Sequence, residues 1–168
     1  MKNKHHIFEI IVALVAIAAV ILLSVPIPIH MDKHLEAMQY KLDDPNYSEK
    51  IDIHVEGKYS LYLVKQDTFM GNISIDKYPQ TVEKHLVLRD NDYNIKLASN
   101  EIGLSYGSFE EPYFLGTMLT DTMLNQFIIK IYEHGSEEGA FDSWSHIDGI
   151  IVVTKLVDRQ AAIDKLGV

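Results

Sequence analysis

Ile51-Asp52-Ile53-His54-Val55-Glu56-Gly57-Lys58-Tyr59 is where the chain takes up a period of two. Ile51, Ile53 and Val55 alternate with Asp52 and His54, the pattern of a strand with one face buried and one in water. With the β-rich run 59–65 that follows, it predicts a hairpin turning at Glu56-Gly57-Lys58. Further strand candidates are 72–76, 85–89, 93–98, 102–106, 126–132 and 150–154, separated by polar turns such as Asp90-Asn91-Asp92. Ile150-Ile151-Val152-Val153-Thr154 is apolar at both alternations, as a strand covered on both faces requires. Residues 107–125 keep neither period and read as loop, with one irregular strand at 114–119. At the end, Asp158 before 159–166 and Gly167 after it are helix punctuation.

Upstream of this region, Asp32 to Leu42 places Leu35, Met38 and Leu42 at a three-then-four spacing, which predicts a short helix. Asp43-Asp44-Pro45-Asn46 ends it, since these residues favour turns and proline cannot continue a helix. Further back, 13 of the residues from Ile7 to Val25 are Ile, Leu, Val or Phe. A spanning helix needs ~20 mostly apolar residues, and 7–29 meets that length. Glu9 lies near one end, where it reaches headgroups at small cost. Lys2 and Lys4 precede the run and no basic excess follows it, so the N-terminus is expected to stay in the cytoplasm. A cleaved signal is the competing reading, but Ser24-Val25-Pro26-Ile27-Pro28 has no small-x-small site. Pro26 and Pro28 are expected to close the helix.

The fold class expected is therefore mainly β: an N-terminal transmembrane helix, then an antiparallel β-sandwich or barrel-like domain with a short C-terminal helix. The organisation expected is a cytoplasmic 1–6, a signal-anchor 7–29, a juxtamembrane helix and linker 30–49, and an extracytoplasmic β domain 50–168. From Met31 onward there are 13 Lys plus Arg against 23 Asp plus Glu, a formal charge of −10. That sign repels phosphate backbones and excludes nucleic acid as a partner. No cysteine is present, so an exported domain of this size must be held by its core.

Four groups of residues invite chemistry. Gly103-Leu104-Ser105-Tyr106-Gly107 matches the nucleophile pattern of serine hydrolases, with Ser105 as nucleophile and His134 or His146, with Asp142 or Asp148, as partners. Such a serine needs a strained strand-to-helix turn, whereas Ile102, Leu104 and Tyr106 alternate as in a strand. Asp90, Asp92 and Asn94, with Glu101 at the twelfth position, follow the oxygen ligands of a calcium loop, but Ile95 stands where that loop needs glycine. His30 and His34, beside Asp32 and Glu36, would share one face of a helix at a spacing that metal sites use. Trp144 is the aromatic candidate for ligand contact, with carbohydrate in view. No cofactor is implied.

The function expected is a membrane-anchored, non-enzymatic binding or interaction module of the bacterial cell envelope. It would be held by 7–29 and face an envelope protein or a small ligand. The alternatives are a membrane-tethered serine hydrolase using Ser105 and a structural subunit of an envelope complex whose sheet edge pairs with a partner.

Overall fold

A computed structural model describes residues 2–87, 95–96, 101–108, 110–132, 144–154 and 157–167. The chain opens with α1 (Lys2–Ser24). Then come β1 (Ile27–Lys41), β2 (Ser48–Leu61), β3 (Thr68–Ile75), the short α2 (Pro79–Glu83), β4 (Leu86–Val87), β5 (Ile95–Lys96), β6 (Ile102–Gly107) and β7 (Pro112–Thr120). A 3-10 turn (Thr122–Leu124), β8 (Phe127–Ile131), β9 (Ile150–Thr154) and α3 (Arg159–Leu166) complete it. The strands form one sheet in the order β4-β6-β7-β8-β9-β1-β2-β3-β5, and every pairing among the described residues is antiparallel.

The fold is a curled, antiparallel half-barrel of seven long strands, β4 and β5 adding two-residue ends. Its ends meet. The Tyr106 hydroxyl on β6 donates to Ile73 O on β3 at 2.6 Å, and Leu86 N donates to Asn72 Oδ1 at 3.1 Å. Beside this seam Thr81 ties α2 to the end of β3: its Oγ1 accepts from Ile75 N at 2.8 Å and donates to Tyr78 O. Inside the curl lies one core, with Ile53, Val55, Tyr59, Phe69, Leu104 and Met118 among its fully buried side chains. A smaller cluster on the outer face packs Ile128, Ile151 and Val153 beneath Ala162 of α3. Val152 faces the inner core while its neighbours face α3, so β9 is covered on both sides as its sequence requires. α3 has the expected bounds: Asp158 accepts from Ala161 N, and Gly167 closes the helix in the left-handed region at φ 70°.

Three expectations are corrected. Residues 32–42 are not a helix; they belong to β1, where Met31, Ala37 and Gln39 are buried and Asp32, His34 and Glu36 exposed. Two polar residues at inward positions hid that alternation. The Lys33 ammonium donates to Met123 O and Asn125 Oδ1 at 2.8 and 2.7 Å, and Gln39 is held by the Tyr47 and Tyr78 hydroxyls at 3.0 and 2.8 Å. Each is thereby satisfied where an apolar side chain would ordinarily sit.

The chain does not turn at Gly57 either. β2 runs straight through it, paired with β1 from Leu61 to Ser48, and the hairpin turn is at 42–47, where Asn46 N donates to Asp44 Oδ1. Gly57 faces Gly71 across β2 and β3 because the backbones meet too closely for side chains. A Cβ on Gly71 would lie 2.1 Å from Glu56 O and 2.7 Å from the Phe69 ring.

Finally, the stretch 7–29 is not one helix. α1 stops at Ser24, where the proline at 26 cannot extend it, and residues 27–29 open β1. Among the described residues no helix is long and apolar enough to cross a membrane.

Candidate functional site

The β1–β2 ribbon turns its even-numbered residues away from the core, because the odd positions from Ile51 to Tyr59 are drawn inside it. Antiparallel register then sets the outer face rung by rung. His30 lies opposite Lys58, Asp32 opposite Glu56, His34 opposite His54, Glu36 opposite Asp52, and Met38 opposite Lys50. Four carboxylates and two lysines on one face leave it net negative around its three histidines.

At the centre of this face three side chains converge. His54 Nε2 lies 2.9 Å from Asp32 Oδ1. The acceptor is a carboxylate, so the imidazole donates. The His34 and His54 rings stack 4.2 Å apart and 2° from parallel. The hydrogen bond from His54 holds the Asp32 pKa below its ordinary value against the opposing effect of burial, and the nearby imidazoles of His54, His34 and His30 add to the lowering. One donor atom from each of Asp32, His34 and His54 lies within 4.8 Å of the others, the one such group of ligand types among the described residues. Asp32 and His34 are exposed and His54 half-buried, so the group is open to solvent.

Along the same face, from Glu36 onward, a groove of about 630 Å³ runs between the ribbon and α3, lined by Glu36, Met38, Tyr40, Lys50, Val157 and Arg159. Arg159 pins its end. The guanidinium donates to Pro45 O and Lys41 O, both at 2.7 Å, and lies over the Tyr40 ring. Lys50 and Glu36 pair across the ribbon at 2.9 Å, which raises the Lys50 pKa.

The sequence-derived candidates fall differently. His34 is in the cluster, brought there with Asp32; His30 is four residues away on a strand, ~13 Å at ~3.3 Å per residue, too far to share an ion with His34. His54 was not singled out. Its outward direction could be read from Ile51, Ile53 and Val55, but its partner across the ribbon depends on register. Ser105 is half-buried on β6, opposite Phe114 beside a β-bulge, and β6 continues to Gly107 and on toward β7 without entering a helix. Among the described residues no histidine is hydrogen-bonded to Ser105; His134 and Asp142 lie outside them.

Trp144 is half-buried and engaged. Its Nε1 donates to Ile150 O at 3.0 Å, His146 meets its ring edge-on at 4.9 Å, and the Lys130 ammonium lies 5.0 Å from its ring centre. Lys130 in turn bonds Glu101, whose pKa is lowered chiefly by that bond. The ring is thus packed against the outer cluster, not presented as a bare platform. Asp90, Asp92 and Asn94 lie outside the described residues. No protein-family model, curated protein or solved structure matches the chain.

Proposed function

We propose that the chain is a membrane-held β domain that works as a non-enzymatic binding module on the outer side of a bacterial membrane, with the outer face of the β1–β2 ribbon as its binding surface. The observation that carries the reading is the division of the molecule into a solvated, histidine- and carboxylate-bearing ribbon and an apolar helix that packs on nothing described. Ile10, Ile11, Val12, Leu14, Val15, Ile17, Val20, Ile21 and Leu23 of α1 are 43–63 % exposed, and none belongs to either hydrophobic cluster. A helix apolar on all sides needs an apolar medium around it. Binding is favoured over catalysis because the ribbon offers open ligand-type side chains, whereas Ser105 sits within a strand and not on a strand-to-helix turn. A reporter that is active only outside the cytoplasm, fused after Val168, should be active, with the N-terminal segment retained on the membrane-bound product. Activity solely from a cytoplasmic reporter would sink the proposal.

A further inference from the structure

The geometry points to a divalent transition-metal site, of the kind that takes zinc, formed by Asp32 and His34 of β1 and His54 of β2. It deepens the reading of the ribbon as a binding surface and rests on it. The three ligands stand on one rung and its neighbour in the middle of a continuously paired ribbon, so their Cβ positions are fixed by sheet register and not by a loop.

The donor set selects the ion. Two imidazole nitrogens with one carboxylate suit zinc and its first-row neighbours, while calcium asks for six to eight oxygens and magnesium for near-ideal oxygen geometry. Zinc bonds of ~2.0–2.2 Å in a tetrahedron put ligand atoms roughly 3.4 Å apart. The donor atoms here already lie within 4.8 Å, so closure needs only rotation of side chains, the two rings tilting out of parallel. The ion takes the place of the proton between His54 Nε2 and Asp32 Oδ1. His54 binds as neutral imidazole with its one proton on Nδ1, and any second proton leaves to solvent. Glu36, Asp52 and Glu56 on adjoining rungs of the same face favour a cation there. Three protein ligands on an open face leave a coordination position for water or a donor group from outside, as in sites that bind exogenous ligands.

The test uses the full chain in detergent, carrying His5→Ala and His6→Ala so that the N-terminal histidines contribute nothing. Zinc is titrated against a chromophoric chelator, and cobalt is followed by its visible absorption. A single ion per chain is expected, unaffected by excess calcium or magnesium. His34→Ala, His54→Ala and Asp32→Asn should each weaken binding by at least ~10-fold, since loss of even a supporting residue of a metal site costs that much. His146→Ala, which changes a histidine packed against Trp144, should leave affinity within about twofold, and His30→Ala, which removes no ligand, should cost less than any of the three ligand changes. His54→Gln, a milder change, guards against misfolding, with circular dichroism confirming the fold of every variant. Absence of stoichiometric zinc binding would overturn the site, as would folded His34→Ala and His54→Gln chains that bind like the parent. The titration reads solubilised chain in any orientation, and the fusion reporter needs no metal, so each proposal fails separately.

Discussion

Tyr106→Phe tests whether the half-barrel is closed where its two ends meet. Tyr106 is fully buried on β6, and its hydroxyl donates at 2.6 Å to Ile73 O on β3, at the opposite end of the sheet order. The substitution removes one oxygen and leaves the ring and its packing, so the change reads the hydrogen bond alone. A typical net contribution is ~0.5–1.5 kcal/mol, rising to ~1–3 when the abandoned partner is buried and cut off from water. Leaving Ile73 O without its donor puts the expected loss at ~1–2 kcal/mol. Removing the ring as well, with Tyr106→Ala, should cost ~3–5 kcal/mol. Urea unfolding in detergent measures both, with a lowered midpoint and unchanged slope for the phenylalanine variant. A Tyr106→Phe protein as stable as the parent within ~0.3 kcal/mol, the limit for unconnected sites, would refute closure through this bond.

Gly71→Ala should destabilise by ~1–3 kcal/mol through overpacking, because its Cβ would fall 2.1 Å from Glu56 O, whereas Gly103→Ala, meeting nothing closer than the Phe114 ring at 3.4 Å, should stay within ~0.5 kcal/mol by the same unfolding assay. Burial raises the pKa of Tyr59 to about 12 and also raises those of Tyr78 and Tyr106. These phenols hold their protons longer folded than unfolded, so what they contribute to stability should be constant below pH ~10 and be lost as pH rises through ~10–12. For Tyr59 alone that is roughly 3 kcal/mol, read by unfolding against pH with phenolate absorbance as the titration signal; stability unchanged across that window would contradict it. A broad serine-reactive probe should form no adduct that Ser105→Ala abolishes, and an adduct of that kind would revive the hydrolase alternative.

What could be read from sequence followed wherever one physical pattern acted alone. Ile150 to Thr154 is apolar at both alternations and lies between two cores; Asp158 and Gly167 bracket α3 because capping is local chemistry. β1 hides its period because Lys33 and Gln39 occupy inward positions, satisfied by Met123, Asn125, Tyr47 and Tyr78, partners up to 92 residues away along the chain. With those positions read as outward, Leu35, Met38 and Leu42 fell into a helical spacing. Gly57 looks like a turn residue in sequence, but glycine also serves close approach of backbones, and its reason here is Gly71 on the next strand. The site shares this cause. His34 and Asp32 stand out in the sequence by residue type and His54 does not, and only the β1–β2 register makes the three neighbours. Once β1 is a strand, His30 moves out of reach of His34.

The rung that sets His34 opposite His54 can be measured directly, since the chain has no cysteine of its own. Residues directly opposed on antiparallel strands have Cα atoms ~4.5–5.5 Å apart, within the ~4.4–6.8 Å that a disulfide spans. A His34→Cys/His54→Cys chain should therefore form an intramolecular disulfide under mild oxidation, seen as a reducible shift in electrophoretic mobility and a mass loss of two hydrogens. His30→Cys/His54→Cys should not. Failure of the first pair to cross-link, or equal cross-linking of the second, would contradict the register on which the ribbon surface and its proposed metal site depend.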